Sequence, residues 1–322
     1  MIRAFTRLLA RPYQQKRPPS RNVAILVLLS TRPTLTEEEK LSLRHLDHYL
    51  GKYDKFLVGP PDSPIRLVGY RVKSFPGKFF GSGTAINHLH YAPLFYKAFT
   101  DYRYIFIYHL DSLVFSDQME RWCQTDVDYI GAPWIQCADS PWVTKPRVGN
   151  TGFGMMKVET ALKVLYHRYR QEPVCYWLDM FTRNSRRVRP FVQLLRKLRS
   201  VFPRSRIVNR LVVEWDEMQD PCTHNRNGDV FWSDKAVSYL PEYKVASLEQ
   251  GLEFAFEVAP RKCFEMNGGK MPFGCHAWAR YDRSFWEPHL LSQESMPRVL
   301  EEQISAMSVA GSVARAKDPS HP

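Results

Sequence analysis

The chain has 322 residues and a formal net charge of +12, and 44% of its residues are hydrophobic. This much apolar sequence excludes a chain that is disordered throughout, and the length allows one large α/β domain or two small ones. A basic chain can bind nucleic acid, an anionic lipid surface or a phosphorylated substrate, and composition does not choose among them.

Cysteine usage indicates the compartment. The six cysteines show no C-x-x-C spacing and no secretory signal is visible, so we expect free thiols in a cytoplasmic protein. Two local pairs, Cys222-x-His224 and Cys275-His276, leave a zinc site open as an alternative. Their spacing fits no common zinc finger or zinc ribbon, which disfavours that alternative.

The N-terminal part of the chain has the element order of an α/β sheet. Residues 1–21 are rich in Arg, Gln and Pro and are predicted to form a flexible basic arm. The continuous apolar run 22–29 predicts a buried strand. A helix over 36–50, which opens with a capping box, and strands over 55–58 and 65–72 follow. This order is typical of a doubly wound, mainly parallel sheet flanked by helices.

The aromatic and β-branched run 104–108 predicts a fully buried central strand, preceded by a helix over 85–99. His109 and Asp111 follow directly at its carboxyl end. Ligands of an open α/β sheet bind beyond the carboxyl ends of the strands. A carboxylate at that place is well positioned to hold a divalent cation, which in turn would hold a diphosphate. We therefore interpret this edge as the metal corner of a nucleotide-sugar site.

Two elements are predicted between this strand and the next informative stretch. Ser116 is predicted to cap a helix over 117–123. A short strand and turn follow at 129–134.

Three later stretches also carry candidate site residues. The glycine-rich stretch 148–156, followed by a helix over 158–169, predicts either a tight turn or a backbone that lies against a ligand. Asp229 is interpreted as a helix N-cap, which explains the residue without any chemistry, although a carboxylate at a helix start can also face a cleft. After a helix over 249–258, residues 267–278 contain glycines, a lysine and a histidine without periodicity, which predicts a loop around a ligand.

A basic segment interrupts this pattern at residues 183–210. It contains ten basic residues and almost no acid: Arg183, Arg186, Arg187, Arg189, Arg196, Lys197, Arg199, Arg204, Arg206 and Arg210. Interleaved leucines predict a basic amphipathic helix, which is either a solvated insertion or a patch for an anionic acceptor or an anionic membrane surface. The small, polar residues near the C-terminus predict a helix or disordered tail over 291–322.

Five motifs, taken together, resemble a known superfamily. They are Y-H-L-D-S-L-V-F, D-Y-I-G-A-P-W, V-G-N-T-G-F, G-D-V-F-W-S and P-F-G-C-H-A-W. In this order they resemble the GT-A glycosyltransferases, and more closely a glycosyltransferase-like family still labelled as a domain of unknown function. The resemblance covers residues 22–286 and implies one GT-A-like, Rossmann-like domain over 22–290 that carries the basic insertion.

The resemblance implies roles for single residues. Asp111 falls on the last position of the D-x-D metal motif and His109 on its first, and His276 falls on the C-terminal metal-ligand histidine. Residues 149–154 fall on the glycine loop, and Asp229 falls on the acid of the x-E-D motif. Two positions depart from the pattern, because His109 replaces a carboxylate and Gly228 replaces the glutamate of x-E-D.

The implied activity is transfer of a sugar from a nucleotide-diphosphate donor to a glycan, a lipid-linked or another hydroxyl acceptor, as in polysaccharide biosynthesis. Asp111, His276 and His109 would hold Mn²⁺ or Mg²⁺, and Asp229 would be the general base of an inverting reaction. The candidate donor-binding residues are Thr31, Arg32, Asn87, Asp111 and Lys270. The candidate sugar contacts are Gly149, Asn150 and Gly152 in the glycine loop, with Trp134 stacking on a sugar face.

Two other classes stay open at this stage. The departures at His109 and Gly228 are compatible with a non-catalytic relative that binds a carbohydrate or a nucleotide. The positive charge is compatible with a nucleic-acid-binding protein, but no RNP, KH or zinc-finger motif is present and no specific nucleic acid is expected.

Overall fold

The structure is a computed structural model, which describes residues 13–171, 185–206, 208, 209, 212 and 227–292. Several sequence predictions fall outside these residues. They are the first part of the basic arm (1–12), the Cys222-x-His224 pair, Arg183 and Arg210 of the basic segment, and the tail from residue 293.

The described strands and helices are numbered in chain order. The strands are β1 (Arg21–Leu28), β2 (Asp54–Gly59), β3 (Tyr70–Ser74), β4 (Tyr102–His109), β5 (Leu113–Val114), β6 (Tyr129–Trp134), β7 (Arg147–Lys157), β8 (Ala255–Phe256) and β9 (Gly274–Cys275). The helices are α1 (Glu37–Leu50), α2 (Gly83–His90), α3 (Pro93–Lys97), α4 (Met119–Gln124), α5 (Val158–Gln171), α6 (Ser185–Val201), α7 (Gly228–Val230), α8 (Ala236–Tyr239), α9 (Leu248–Phe254), α10 (Pro260–Met266) and α11 (Arg283–Trp286). A single π-helical stretch, Phe231–Lys235, joins α7 to α8.

The molecule is built on a six-stranded sheet in the order β3-β2-β1-β4-β7-β6. Strand β1 pairs in parallel with both β2 and β4, and β3 pairs in parallel with β2. Strand β7 runs antiparallel to both of its neighbours, β4 and β6. A small second sheet has the order β5-β9-β8. These pairings confirm the predicted mixed α/β fold with a mainly parallel central sheet flanked by helices.

Strand β4 lies at the centre of the sheet, as its sequence predicts. Tyr104, Phe106 and Tyr108 are buried, and the ring of Phe106 packs edge-on against Phe153 of β7 at 4.8 Å. Burial on both faces explains why β4 is a continuous apolar run rather than an alternating one. Because Leu28 of β1 is in register with His109, the carboxyl ends of the two strands open at the same edge.

Helix α1 begins as predicted. The Thr36 hydroxyl accepts a hydrogen bond from the backbone N–H of Glu39 at 3.2 Å, and the Glu39 carboxylate accepts one from the Thr36 N–H at 2.8 Å. Together these bonds form a capping box that satisfies two otherwise unpaired backbone donors.

Several predicted elements differ from the structure. The helix predicted over 249–258 ends at Phe254, and strand β8 follows it. The strand predicted over 65–72 begins only at Tyr70. The helix predicted over 85–99 is two short helices, because Pro93 has no N–H to continue the first one. Ser116 does not cap α4: the capping position is Gln118, whose side-chain amide donates to the Ser116 hydroxyl at 2.9 Å.

Two residues of the predicted arm contact later parts of the chain. Tyr13 packs against Tyr166 of α5 with ring centroids 5.6 Å apart, and the Gln15 side chain donates to the Thr100 carbonyl at 3.0 Å. Strand β1 begins at Arg21, the last residue of the predicted arm.

The basic segment contains α6, which confirms a helix there. Leu195 is buried, whereas Leu194, Val201 and Phe202 are more than half exposed. No helix in the described ranges has both the length and the apolar composition needed to cross a bilayer.

His45 of α1 is fully buried and satisfied on both ring nitrogens in its neutral form. Its Nδ1 lies 2.9 Å from the Val114 carbonyl oxygen, to which it donates, and its Nε2 accepts from the Leu291 N–H at 3.0 Å. Burial lowers the pKa of His45 from 6.5 to about 4, and Arg44 and His48 act in the same direction.

This histidine gives a pH-dependent contribution to stability. Its contribution is fully present above the unfolded pKa of 6.5 and is lost as the pH falls towards 4, because the unfolded chain then binds the extra proton. The loss over this window is roughly 3 kcal/mol. Urea unfolding at about pH 7 and about pH 5 gives the decrease in the free energy of unfolding that acid causes. We expect this decrease to be smaller in His45→Gln than in the wild type, because glutamine keeps a donor and an acceptor but does not titrate. Equal losses in the two proteins would remove His45 from this role.

Candidate functional site

The carboxyl end of β4 carries two of the predicted metal ligands. His109 is the last residue of β4, and the chain then turns, with the Ser112 N–H donating to the His109 carbonyl at 3.0 Å. Asp111 lies in this turn with its side chain about half exposed, and its carbonyl oxygen accepts from the Trp278 N–H at 3.1 Å. The turn is therefore tied to the chain just beyond His276.

The small sheet brings His276 to the same edge. Strand β9 pairs with β5, with Cys275 opposite Leu113, and the His276 N–H donates to the Phe256 carbonyl at 3.0 Å. This arrangement places His276 Nε2 3.3 Å from Asp111 Oδ1. Residues that are distant in the sequence thus meet because β5 and β9 pair directly after the turn.

His109, Asp111 and His276 form a triad of potential metal ligands. One donor atom from each lies within 4.8 Å of the other two. Both Nε2 atoms are buried: that of His109 has no hydrogen-bond partner among the described residues, and that of His276 faces the Asp111 carboxylate. A buried polar atom without a partner costs about 1–3 kcal/mol, and a cation held by the three side chains would give Nε2 of His109 a partner. The triad therefore fits a divalent cation, and two imidazoles favour Mn²⁺ over Mg²⁺.

The charges of the triad are strongly coupled. Burial opposes protonation of His276, but the Asp111 and Glu257 carboxylates on its two sides raise its pKa well above 6.5. Burial and the neighbouring His276 lower the pKa of His109 to about 4, so His109 is neutral at pH 7. Although burial alone would raise it, the pKa of Asp111 is held well below its usual range by His276. His276 therefore carries a positive charge at neutral pH unless a cation replaces its proton.

Asp229 lies on α7 and is held by β7. The N-cap of α7 is Asn227, whose side chain accepts from the Asp229 N–H at 2.9 Å, so the prediction of Asp229 as the N-cap is wrong by two residues. One oxygen of Asp229, Oδ1, accepts from the Thr151 N–H at 2.8 Å and also from the Thr151 hydroxyl. Burial raises the pKa of Asp229, although the Thr151 bonds oppose this shift.

Asn87 and Gly228 lie between Asp229 and the triad. A Cβ on Gly228 would lie 3.1 Å from Asn87 Oδ1 and 3.6 Å from His90 Nδ1. The ring of His90 is in turn 6.4 Å from that of His109. A glutamate at position 228 would therefore crowd Asn87, which gives a physical reason for the departure from x-E-D.

The predicted glycine loop is wrong as local structure, because residues 147–157 form strand β7. Its glycines serve close packing: a Cβ on Gly149 would lie 2.3 Å from the Trp134 ring, and one on Gly152 would lie 2.2 Å from His276 Nε2. Trp134 is buried between Gly149 and Trp142, whose ring is 5.0 Å away. Asn150 directs its side chain to Glu257.

An open cleft of about 390 Å³ begins at the triad. His109 and Asp111 line it together with Ser30, Arg32, Glu38 and Glu39. Arg32 is paired with Glu39 at 2.5 Å. The neighbouring residue Thr31 is exposed and is not part of the lining.

Lys270 lies apart from this cleft. Its side chain is exposed on a turn with Gly268 and Gly269, both at positive φ. Within the described residues it has no contact with the triad.

Two residues of this arrangement are not among the sequence predictions. Thr151 binds Asp229, and Glu257 accepts a hydrogen bond from His276 Nδ1 at 2.8 Å. Glu257 carries a signal in the sequence, because it is the single acid in the apolar run 254–259. Thr151 carries none, because a threonine in a strand is ordinary.

The contact between Gly152 and His276 leads to a prediction. In Gly152→Ala the new methyl group must displace the His276 ring, so we expect Mn²⁺ affinity to fall by about tenfold or more. Gly149→Ala is the matched control, because Gly149 lies in the same strand as Gly152 but its new methyl group collides with Trp134 and not with a proposed metal ligand. Both variants should lose stability in thermal unfolding, but calorimetry should show weakened Mn²⁺ binding only in Gly152→Ala. Equal Mn²⁺ affinity in both would contradict the placement of His276.

Comparisons with solved structures find distant likenesses to glycosyltransferases. Glycosyltransferase GlyE of Streptococcus pneumoniae TIGR4 matches with a TM-score of 0.42 and 12% identity, over 88% of this chain and 64% of GlyE. Mouse xyloside xylosyltransferase 1 matches with a TM-score of 0.40 and 14% identity, over 80% of this chain and 97% of that protein. Galactosyltransferase LgtC, solved with donor and acceptor sugar analogues, matches with a TM-score of 0.41 and 9% identity, over 89% and 95% of the two chains. The chain thus spans less than two thirds of GlyE.

Sequence comparison identifies a family but no curated relative. No protein of curated function matches the chain. A family profile described as "Protein of unknown function (DUF5672)" matches residues 69–276, a range that includes the triad and Asp229. The match covers more than half of the sequence, and the chain therefore belongs to the DUF5672 family.

Proposed function

We propose that the protein is a glycosyltransferase that moves a sugar from a nucleotide-diphosphate donor to a hydroxyl acceptor. The observation that carries the proposal is the triad of His109, Asp111 and His276, in which two buried imidazole nitrogens lie close to one carboxylate. The triad lies at the carboxyl ends of parallel strands, where α/β folds bind their ligands. It also opens into a cleft large enough for a nucleotide-sized ligand.

Asp111, His276 and His109 would hold Mn²⁺ or Mg²⁺. When bound, such an ion supplies Lewis-acid stabilisation for the charge of the leaving diphosphate. The side chains of the protein would position the ion and the donor. Asp111 and His109 line the cleft, while His276 is not part of its lining. Arg32, which lines the cleft and is fixed by Glu39, is the proposed contact to the donor, with Asn87, Thr31 and Lys270 as further candidates.

Asp229 is the proposed general base. Its Oδ1 is occupied by two hydrogen bonds from Thr151, so Oδ2 is the oxygen left to accept a proton. The raised pKa of the carboxyl makes it a stronger base than an exposed aspartate. In the proposed single displacement, Asp229 takes the proton of the acceptor hydroxyl while the hydroxyl oxygen bonds to the anomeric carbon. The nucleoside diphosphate leaves from the opposite face with the bonding electrons, which inverts the configuration.

The acceptor is proposed to be a glycan or a lipid-linked molecule. Helix α6 exposes Leu194 and Val201 beside Lys197 and Arg199, with no acid in residues 185–206. Apolar side chains flanked by cations are typical of helices that lie on anionic membranes. We therefore include peripheral contact of a cytoplasmic protein with an anionic membrane surface in the proposal.

A non-catalytic relative that binds a nucleotide or a carbohydrate is the second candidate. Two observations favour it: the imidazole of His109 replaces a carboxylate, and Gly228 leaves Asp229 as a lone acid. It predicts ligand binding without turnover.

One experiment tests the proposal and separates it from the alternatives. The protein is incubated with Mn²⁺ and a panel of nucleotide sugars, and both binding and release of nucleoside diphosphate are measured. We expect Mn²⁺-dependent binding of one donor class with slow hydrolysis, which needs no acceptor. Binding without hydrolysis would favour the non-catalytic relative. Failure to bind any donor, combined with salt-sensitive nucleic-acid binding that survives deletion of residues 183–210, would overturn both.

A further inference from the structure

Glu257 is a buried acid next to the triad. It follows β8 and is only 7% exposed. A buried carboxylate is costly unless it is hydrogen-bonded or paired, so its partners should explain its presence.

A single oxygen of Glu257 joins two elements. Its Oε1 accepts from Asn150 Nδ2 at 2.8 Å and from His276 Nδ1 at 2.8 Å. The orientation of the Asn150 amide is independently fixed, because its Oδ1 accepts from the Gly152 N–H at 2.6 Å. Asn150 therefore presents its NH₂ group to Glu257, and strand β7 holds the carboxylate in place.

This arrangement determines which nitrogen of His276 faces the triad. A carboxylate can only accept, so the proton of the hydrogen bond must be on His276 Nδ1. Nε2 is then the nitrogen directed at Asp111, whose Oδ1 lies 3.3 Å away. Metal-binding histidines commonly use one nitrogen for the metal while the other donates to a carboxylate.

We infer that Glu257 is a positioning residue, which with Asn150 fixes the ring orientation and the Nε2-directed tautomer of His276 for cation binding. The inference rests on the proposed function, because it assigns Glu257 to the same cation site. It also explains why β7 needs glycine at 152: the His276 ring that Glu257 holds lies directly over that backbone.

The test is Glu257→Gln, which keeps the shape of the side chain but removes its charge. Mn²⁺ titration followed by electron paramagnetic resonance should show affinity weakened by about 10- to 100-fold. A purely structural role would lower the thermal unfolding midpoint without this loss. Glu253→Gln is the matched control, because Glu253 is an exposed acid nearby in the chain that pairs with Arg121. Unchanged Mn²⁺ affinity in a folded Glu257→Gln protein would overturn the inference.

A second measurement needs no variant that might fail to fold. Wild-type protein labelled with ¹⁵N-histidine is loaded with ¹¹³Cd²⁺, a diamagnetic ion, and examined by NMR. We expect coupling of cadmium to Nε2 of His276 and a retained proton on Nδ1. Coupling to Nδ1, or no coupling to His276, would contradict the assignment.

Failure of the inference and failure of the proposed function give different results. If Asp111→Ala loses Mn²⁺ binding while Glu257→Gln keeps it, only the positioning role is wrong. If neither variant loses Mn²⁺ binding, the triad is not the cation site, and both fail.

Discussion

Asp111→Ala is expected to weaken Mn²⁺ binding by more than about 100-fold and to abolish Mn²⁺-dependent binding of a nucleotide sugar. Removing a residue that only hydrogen-bonds to a metal ligand already lowers metal affinity by about 10- to 100-fold. Asp111 is proposed as a ligand itself and is the only carboxylate of the triad, so its loss should cost more. Its side chain is about half exposed, so the substitution leaves no cavity in the core. Calorimetry with Mn²⁺ alone, and then with Mn²⁺ and donor, measures both effects.

Asp117→Ala is the matched control for this experiment. Asp117 lies nearby in the chain and pairs with Lys52 at 2.7 Å, away from the triad. It should keep the Mn²⁺ affinity of the wild type. Normal donor affinity in Asp111→Ala would remove the metal corner from the proposal.

Asp229→Asn is expected to lower sugar transfer by about 10² to 10⁴ while leaving donor binding intact. An asparagine can keep both hydrogen bonds from Thr151 on its carbonyl oxygen, so the local structure should be retained. Its amide group cannot take a proton from an acceptor hydroxyl. Steady-state transfer with the donor found in the panel, together with donor affinity by calorimetry, separates these two effects.

The same assay can contradict the proposed role of Asp229. Unchanged turnover in Asp229→Asn would exclude this residue as the base. Thr151→Val serves as a comparison, because it removes only the hydroxyl bond and keeps the N–H bond to the carboxylate. We expect it to retain more activity than Asp229→Asn.

The sheet could be predicted from the sequence because its central strands are buried on both faces. Strand β4 and its neighbour β1 are continuous apolar runs, and α1 has an explicit capping box. The carboxyl ends of parallel strands share an edge, so the position of Asp111 at a site-forming edge followed from β4 alone.

The tight turn predicted within residues 148–156 is wrong for a physical reason. Glycines in sequence indicate turns as readily as close packing, and the groups packed against Gly149 and Gly152 come from other elements. Only the folded chain shows that Trp134 and His276 occupy the space that side chains at positions 149 and 152 would take. The same limit applies to Thr151 and Glu257, because their partners Asp229 and His276 lie far away in the sequence.

The central claim is that Asp111 and His276 hold one cation in a pocket near Asp229. Crystals grown with Mn²⁺ and a nucleoside diphosphate, measured for anomalous scattering of manganese, test it most directly. The account predicts one strong anomalous peak in bonding contact with an Asp111 oxygen and His276 Nε2, with the diphosphate on its cleft side. A manganese peak elsewhere on the molecule, with Asp111 and His276 in contact only with each other, would contradict it.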